Sequence, residues 1–492
     1  MTSAHPSAVP AGAAATIWRH PDRLRLNAIP GRASLLGLLH RTRWPSQPLA
    51  AAPAGSGLSP VNGSSGFPVL GRSLEALFDG PEFTQRCYDT YGPVSWSRLL
   101  GVRMVSALGP EATQSVLVNA DKAFSQSGWE YFIGPFFRRG LMLLDFEEHR
   151  FQRRIMQEAF TQPRLAGYLT RVDELARADI ARWPVQGRVY VYPTIKQLSL
   201  EIATDIFMGG EVGAEEASRL HQAFTDAVRA GTSIVRHPVP GGRWQRGLAG
   251  RRVLEDFFRS RIPAKRASGG DDLFAALCHA RSDEGDTFSD DDVINHMIFL
   301  MMAAHDTTTT TTTAVLGQLA AHPEWQERVR EESLALDGDL TLSGLETLTT
   351  LDLVIKESLR LVAPVHSLAR KTIKDTELLG HYIPAGTIVA VCPWFNHYLP
   401  EIWTDPLRFD PERFAEPRGE DRHPFAWVPF GGGVHKCIGM GFGTQEVKTV
   451  VHHLLRRSRL TVPAGYRTSW DLTSLPVPAD GMPIELAPLA PT

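Results

Sequence analysis

The chain has 492 residues, a formal net charge of −3 and an apolar content of 43%. A chain of this length can bury a large core and still enclose a cofactor, and its near-neutral charge argues against nucleic acid as a bulk electrostatic partner. Four cysteines lie far apart without a CxxC pair, which disfavours a disulfide framework and a structural zinc site; they are Cys87, Cys278, Cys392 and Cys437.

The N-terminal 65 residues are predicted to form a flexible tail, because Gln47–Ser65 in particular is too rich in Pro, Ala, Gly and Ser to bury a core. The run Leu35–Leu39 is too short for an anchor or a signal segment, and no stretch reaches the ~20 apolar residues of a spanning helix. We therefore expect a single domain over residues 66–492 and a cytoplasmic protein, with a peripheral membrane contact through the tail left open.

Helical patterns predominate after residue 66. Glu111–Asn119 and Arg164–Trp183 are amphipathic, whereas strand signals are confined to Val189–Tyr192 and Thr387–Cys392. The prediction is a mainly α fold with small β-sheets.

One long helix is predicted from Asp291 to about Ala321. Acidic residues suit its N-terminus and Pro323 ends it. Its middle, Met297–Ala304, is apolar all round, which is typical of a helix that runs through the centre of a protein.

A glycine-rich segment, Pro429–Gly439, precedes a helical pattern that extends to Arg457. Its three consecutive glycines allow a tight turn, and Cys437 then lies at a helix N-terminus, where free N–H groups and the helix dipole stabilise a thiolate. A thiolate is the form of cysteine that binds iron. The alternative interpretation is a glycine-rich turn with an incidental cysteine.

This segment resembles the heme-binding loop of the cytochrome P450 family, F-x-x-G-x-R/H-x-C-x-G, at Phe430, Gly433, His435, Cys437 and Gly439. The resemblance implies a fold with a long central helix over the heme and the cysteine loop below it. It also implies Cys437 as the axial ligand of the iron, His435 at a heme propionate, heme b as cofactor and O2 as co-substrate. Thiolate ligation favours O–O cleavage.

Two further segments resemble motifs of the same family. Lys356–Arg360 contains E-x-x-R, and Phe409–Phe414 resembles the P-E-R-F box. The resemblance implies that Glu357, Arg360 and Arg413 form a buried network that supports the heme loop, which is a structural role. Taken alone, two charges three residues apart on a helix also describe an ordinary surface ion pair.

The sequence Ala303–Thr307 resembles the oxygen-activation motif A/G-G-x-D/E-T, with Ala304 in place of the usual glycine. The resemblance implies that Thr307 is the alcohol at the oxygen-binding position and that Asp306 relays protons from solvent. A charge inside an apolar helix is costly, and a satisfied polar residue is the alternative interpretation. The following run, Thr309–Thr313, is interpreted as packing.

His149 and Arg153 are four residues apart and therefore share one helix face. In bacterial members of the family a His and an Arg at this spacing bind heme propionates, and Arg370 resembles a strand arginine with the same role. Charge-assisted hydrogen bonds suit these side chains to carboxylates. The alternative interpretation of the first pair is a solvated basic helix.

An aromatic segment between Phe124 and Leu144 resembles the first substrate-recognition region of the family, although core packing is an alternative. Together with two residues above the heme and two after Pro364, the predicted pocket comprises Trp129, Tyr131, Phe132, Phe136, Phe137, Met302, Ala303, Val365 and Leu368. An apolar pocket favours a lipophilic substrate. Similarity of Phe132–Phe136 and of the motif around His305 to the sterol 14-demethylase and retinoid-hydroxylase branches favours a sterol, terpenoid or fatty lipid.

The resemblance implies a monooxygenase that inserts one oxygen atom from O2 into its substrate. No flavin or nicotinamide domain is evident, so electrons are expected from a separate ferredoxin or flavodoxin with its NAD(P)H-dependent reductase. Basic residues could form a docking face for an acidic donor: Lys436, Arg138, Arg139, Arg150, Arg154, Arg456 and Arg457. The alternatives are a peroxygenase or isomerase, which often replaces the acid–alcohol pair, and a non-catalytic heme sensor.

Overall fold

The computed structural model describes residues 37–489 apart from 40, 100, 211, 232, 234, 268, 283, 473 and 474. The first 36 residues of the predicted tail therefore lie outside the described residues. No helix in this described part of the chain is both long and apolar enough to cross a membrane.

Internal contacts divide the chain into two compact units. Each unit collects segments that are remote in sequence. The first contains the described residues up to Phe124, His366–Val428 and Ser469–Asp471, and the second contains Ser125–Val365, Pro429–Thr468 and the described residues from Leu472 onward.

The first unit is built on β-sheet. In spatial order, the larger sheet contains Gln47–Pro48, Asn62–Ser64, Val94–Leu99, Val102–Ala107, Ile388–Val391, Leu368–Thr372 and Phe124–Ser125. A smaller sheet contains Ser59–Pro60, His381–Ile383 and Thr376–Leu378, and Trp470–Asp471 is a further short strand. The helical segments of this unit are Ser73–Phe78, Gly80–Tyr91, Pro110–Val118, Pro393–Asn396 and the 3-10 turn Pro411–Phe414.

Residues 47–64 differ from the predicted flexible tail. Gln47–Pro48 pairs antiparallel with the strand Asn62–Ser64, and Ser59–Pro60 pairs in parallel with His381–Ile383. Val61 is fully buried in the core of this unit, and burying a valine contributes about 1.5–3 kcal/mol. Strand pairing and the burial of Leu49, Val61 and Ser64 thus order a segment whose composition alone favours flexibility.

The second unit is mainly helical. Its α-helices are Glu130–Ile133, Phe146–Gln157, Gln162–Arg182, Val191–Met208, Ala214–Gly231, Arg243–Ala267, Leu273–His279, Asp290–Ala321, Pro323–Leu334, Leu342–Glu346, Thr349–Leu361 and Met440–Arg457. Four 3-10 turns are Gln126–Gly128, Leu141–Leu143, Glu158–Phe160 and Gly433–His435. Its strands are Gly187–Tyr190, Ser458–Thr461, Val477–Pro478 and Pro483–Pro488. The predicted fold class, mainly α with small sheets, is confirmed.

Asp290–Ala321, hereafter the central helix, confirms the long helix predicted from Asp291. The Ser289 hydroxyl accepts a hydrogen bond from the Asp292 N–H at 3.1 Å and so caps its first turn. The helix is buried along most of its length, which explains why its sequence is apolar on every face.

Candidate functional site

Cys437 lies in a glycine-rich loop that leads into the helix Met440–Arg457. Gly431 and Gly433 have φ values of 68° and 63°, which side-chain-bearing residues rarely adopt. The Cys437 N–H donates to the Phe430 carbonyl oxygen at 2.9 Å. The loop therefore closes on itself and presents Cys437 just before the helix begins.

The Cys437 side chain is accessible to solvent, yet burial raises the pKa of its thiol above the ordinary value. A group that is accessible but largely surrounded by protein lies in a concavity. The Gly439 N–H, Arg153 and Lys436 lower the pKa, as expected near a helix N-terminus, but desolvation exceeds them. The loop alone therefore does not hold a thiolate, whereas a coordinating metal ion deprotonates a thiol outright.

His149 and Arg153 lie one turn apart on the helix Phe146–Gln157. The ring of His149, which is 3% exposed, stacks on the ring of His435 with 3.8 Å between centroids. Two imidazoles from separate segments thus meet beside the cysteine loop.

Arg153 is half-buried, and desolvation lowers the pKa of its guanidinium. The charge that acts on it is that of Cys437, and no carboxylate among the described residues pairs with it. A half-buried cation without an anion is costly. Heme propionates are carboxylates that would supply this anion, so the unpaired Arg153 beside an accessible Cys437 fits a heme.

One short stretch of the central helix is partly exposed. The residues on either side of it are buried, whereas Met302, Ala303, Ala304, Asp306 and Thr307 are not. The Thr307 hydroxyl donates to the Ala303 carbonyl oxygen at 2.5 Å, which leaves its lone pairs for another donor. This stretch therefore faces open space, as expected for the wall of a binding site.

Asp306 is held by two basic side chains. Lys196 Nζ, from the helix Val191–Met208, lies 3.2 Å from Oδ1, and His305 Nδ1 lies 3.3 Å from the same oxygen. Burial raises the pKa of Asp306, but His305 and Lys196 lower it more, so the pKa of this carboxyl lies well below its ordinary value. Asp306 is therefore an ionised carboxylate inside an apolar helix.

Glu357 and Arg360 form a fully buried, bidentate pair, with Nε–Oε2 and Nη2–Oε1 distances of 2.7 and 2.8 Å. In the first unit Arg413 is also fully buried, and it donates to the Thr404 carbonyl oxygen at 2.8 Å and to Glu420 Oε2 at 2.6 Å. Both arginines are thus buried and bonded to a carboxylate, and neither belongs to a surface ion pair.

The five aromatic residues predicted for the pocket separate into two groups. Phe136 is 0% exposed and packs on Trp244, with 4.9 Å between ring centroids, while Phe137 is 1% exposed and packs on Phe224. The structure corrects the prediction for these two, because rings buried between helices offer no accessible surface. The other three are half-buried and contact one another edge to face: Trp129, Tyr131 and Phe132.

The remaining predicted residues lie in different units. Val365 is half-buried in the second unit. Leu368 is half-buried and Arg370 buried in the strand Leu368–Thr372 of the first unit, where Arg370 Nη1 donates to the Ala369 carbonyl oxygen at 2.9 Å.

Most of the arginines predicted to form a basic docking face are paired. Carboxylates neutralise three of them, through the pairs Arg139–Glu148, Arg139–Asp292, Arg150–Glu147 and Arg154–Glu284. Arg456 and Arg457 donate to backbone carbonyls. The positive field expected from counting arginines is therefore reduced by the three ion pairs, whereas bonds to neutral carbonyls leave the charges of Arg456 and Arg457 in place.

Two basic residues near Asp306 were not among the predicted site residues. Lys196 is 110 positions earlier in the chain, and His221 lies on the helix Ala214–Gly231, with its ring 5.9 Å from that of His305. The sequence signal that could have identified Lys196 was weak, since it is no more than that Lys196 is the single basic residue of the helix Val191–Met208.

A mainly helical fold with an accessible cysteine in a glycine-rich loop is the arrangement of a heme-thiolate protein. The cytochrome P450 family model matches residues 61–469, and the chain belongs to this family. It is a P450 monooxygenase, and the cofactor and co-substrate of the family are heme b and O2.

Three similar proteins illustrate the range of this family. A Mycobacterium tuberculosis protein named "Putative cytochrome P450 136" is 51% identical, covering 94% of this chain and 95% of its own. Cyclooctat-9-en-7-ol 5-monooxygenase of Streptomyces melanosporofaciens is 31% identical, covering 80% and 88%. Among solved structures, a cyanobacterial P450, CYP120A1, with retinoic acid bound, is 28% identical with a TM-score of 0.78, covering 87% of this chain and 99% of that one.

Proposed function

We propose that Cys437 is the axial ligand of the heme iron and that the enzyme inserts one oxygen atom from O2 into a lipophilic isoprenoid. The observation that carries the assignment is the half-buried Arg153, which has no carboxylate partner among the described residues and lies where it acts on the Cys437 thiol. A heme would supply both missing partners, an iron for the sulfur and a propionate for the guanidinium.

The residues that would hold the heme come from two places in the second unit. His149 and Arg153 of one helix and His435 of the loop would bind propionates. Arg370 stays a propionate ligand implied by the family resemblance alone. Phe430, Gly433 and Gly439 would shape the loop around the sulfur. Glu357, Arg360 and Arg413 would stabilise the surrounding fold without touching the cofactor.

When bound, the heme supplies the activation of O2 and the oxidation of the substrate. The chain supplies protons through Asp306 and Thr307. The Thr307 hydroxyl donates a hydrogen bond to the Ala303 carbonyl oxygen, so the lone pairs of its oxygen are left to accept a proton. When it accepts one proton, it can release its own hydrogen towards the oxygen-binding position. Asp306 would restore that proton and act as a general acid. This pair favours O2-dependent turnover over a peroxygenase, an isomerase or a passive heme sensor.

An isoprenoid substrate is favoured by two lines of support. Met302, Ala303 and the half-buried aromatic rings offer an apolar surface, which suits a lipophilic molecule with few polar groups. Retinoic acid, bound by the cyanobacterial relative, and cyclooctat-9-en-7-ol, oxidised by the Streptomyces relative, both have isoprenoid carbon skeletons.

A substrate panel tests this class. The purified heme protein would be titrated with retinoic acid, a polycyclic terpene alcohol, a sterol and a long-chain fatty acid, and binding read from the heme spin-state shift. We expect the three isoprenoid-derived compounds to produce larger shifts, at lower concentrations, than the fatty acid. A shift produced by the fatty acid alone would contradict the proposed class.

Electrons are proposed to come from a separate ferredoxin or flavodoxin with its NAD(P)H-dependent reductase. Turnover of the best ligand would be compared with a surrogate ferredoxin system and with hydrogen peroxide. Product formed with the ferredoxin system and little with peroxide supports the monooxygenase. Efficient turnover with peroxide alone would favour a peroxygenase instead.

A further inference from the structure

We propose that Arg236 binds a carboxylate group of the substrate at the aromatic segment of the pocket, in what is here called the Arg236 site. The proposal rests on the proposed function and deepens it, because it narrows the lipophilic isoprenoid to one that carries a carboxylate. Arg236 lies between the helices Ala214–Gly231 and Arg243–Ala267, outside every family motif identified in the sequence.

Arg236 is attached to two of the residues predicted to line the pocket. Its Nη2 donates to the Tyr131 carbonyl oxygen and, at 3.1 Å, to the Phe132 carbonyl oxygen. The central guanidinium carbon lies 4.7 Å from the centroid of the Tyr131 ring, which meets the Phe132 ring edge to face. Both rings are half-buried. The guanidinium therefore lies beside an apolar surface that keeps some contact with solvent.

Trp244 holds the guanidinium from a second helix. The centroid of its ring also lies 4.7 Å from the guanidinium carbon, and the same ring packs on the buried Phe136. Arg236 Nη1 donates to the Gly231 carbonyl oxygen at 3.4 Å. Two aromatic rings and three carbonyl oxygens thus orient one cation. A side chain that is already oriented loses less conformational entropy when it binds an anion.

The charge of Arg236 is not neutralised by a carboxylate in the part of the chain that the structure describes. Burial lowers the pKa of its guanidinium, and the ionisable side chain that acts on its charge is Tyr131. Arg246 differs, because its Nε lies 3.5 Å from Asp226 Oδ1. Carbonyl oxygens and aromatic rings stabilise a cation but leave its charge in place. An anion would therefore complete the surroundings of Arg236.

Hydrogen-bond donors are also left over at this position. A guanidinium has five N–H groups, and the three hydrogen bonds to Tyr131, Phe132 and Gly231 use three of them. Ser233 is 8% exposed, and its hydroxyl has no hydrogen-bond partner among the described residues. A carboxylate accepts hydrogen bonds without donating any, so it suits a segment with unused donors.

A carboxylate fits this position better than a phosphate does. No second cation of the described residues acts on the charge of Arg236, so a group with one negative charge balances it and a dianion does not. The half-buried guanidinium lets the carboxylate stay partly hydrated, which limits the cost of desolvation. The apolar part of the same molecule would contact the Tyr131 and Phe132 rings.

A matched pair of ligands tests the Arg236 site. Retinoic acid and retinol share one carbon skeleton, but the first ends in a carboxylate and the second in a hydroxyl. Each would be titrated into the heme-loaded wild type, Arg236→Gln and Arg246→Gln, and binding read from the heme spin-state shift. The carbon monoxide spectrum verifies that each variant keeps its heme site.

We expect the wild type to bind retinoic acid more tightly than retinol. Arg236→Gln should raise the Kd of retinoic acid at least about tenfold, as loss of a hydrogen-bonded charge does, and leave the Kd of retinol nearly unchanged. Arg246→Gln should keep the wild-type preference, because Asp226 already pairs with Arg246. Equal weakening of both retinoids by Arg236→Gln would overturn the proposal, since Arg236 would then only hold the aromatic segment in place.

A second measurement needs no glutamine variant. Arg236→Lys keeps the positive charge and should keep a preference for retinoic acid, though a weaker one, because lysine lacks the planar guanidinium. In the wild type, added salt should narrow the difference between the two retinoids, since a partly exposed ion pair is screened. A wild type that binds both retinoids equally at low salt would contradict the Arg236 site.

A long-chain fatty acid and the alcohol of the same length separate this proposal from the proposed isoprenoid class. If the fatty acid alone binds and Arg236→Gln weakens it, the isoprenoid class is wrong and the Arg236 site stands. If the retinoids bind but Arg236→Gln does not discriminate between acid and alcohol, the isoprenoid class stands and the Arg236 site is wrong.

Discussion

The Cys437 loop and the surroundings of Asp306 are assembled in different ways. The loop is formed by consecutive residues, and its shape depends on glycines at positive φ and on a hydrogen bond from Cys437 to Phe430. Asp306 depends on Lys196, 110 residues away, on a different helix. Substitutions in distant helices should therefore perturb the carboxylate more readily than the cysteine loop.

The largest stability effect is expected at a pair formed locally, Glu357 and Arg360. Glu357→Gln removes the carboxylate that neutralises the fully buried Arg360 charge, which costs about 3–5 kcal/mol. Urea unfolding of the heme-loaded protein, followed by circular dichroism, measures this loss.

A matched control is available in Glu147→Gln. Glu147 and Arg150 have the same three-residue spacing, but their side chains are 68% and 64% exposed. The control should cost less than about 1 kcal/mol. Equal losses in the two variants would contradict the claim that burial sets the strength of these pairs.

Glu446 offers the corresponding test for a pair formed at long range. It is 3% exposed and accepts a hydrogen bond from Ser199 at 2.7 Å, and burial raises its pKa to about 7. Because the folded state then binds more protons than the unfolded state between about pH 4.5 and 7, stability falls as pH rises through that window. Glu446→Gln should remove this slope and raise stability at pH 8 by on the order of 2–3 kcal/mol.

Urea midpoints at pH 5 and pH 8 measure the effect. Glu201→Gln, an acid on the helix that also carries Ser199, serves as the control. If Glu446→Gln keeps the wild-type slope, Glu446 does not titrate in the way its burial requires.

A smaller effect, on catalysis alone, is expected at Thr307. Thr307→Val keeps the side-chain shape but removes the hydroxyl, so product formed per O2 consumed should fall about tenfold, about 1.4 kcal/mol, while hydrogen peroxide release rises. Thr311→Val is the control, because Thr311 makes the same kind of bond to a carbonyl one turn further on. Equal coupling in the two variants would remove Thr307 from proton delivery.

The sequence was most informative where function depends on neighbouring residues. The fold class and the long central helix agree with the predictions from local patterns and family motifs. Their signals lie within one helix or one loop. The same holds for the buried Glu357–Arg360 pair.

Predictions from the sequence failed where contacts between distant segments determine whether a residue is ordered, buried or paired. Composition could not indicate that pairing with distant strands orders residues 47–64, or that Phe136 and Phe137 pack between helices. Counting arginines could not reveal that Arg139 and Arg154 meet carboxylates. Lys196 was missed for the same reason, since no local pattern connects it to Asp306.

The most direct test of the central claim is the absorption spectrum of the reduced protein with carbon monoxide, wild type against Cys437→Ser. The wild type should show the strongly red-shifted Soret band of a thiolate-ligated heme. Cys392→Ser, a second unpaired cysteine, should keep that band, whereas Cys437→Ser should lose it. Retention of the red-shifted band by Cys437→Ser would contradict the assignment of Cys437 as the iron ligand.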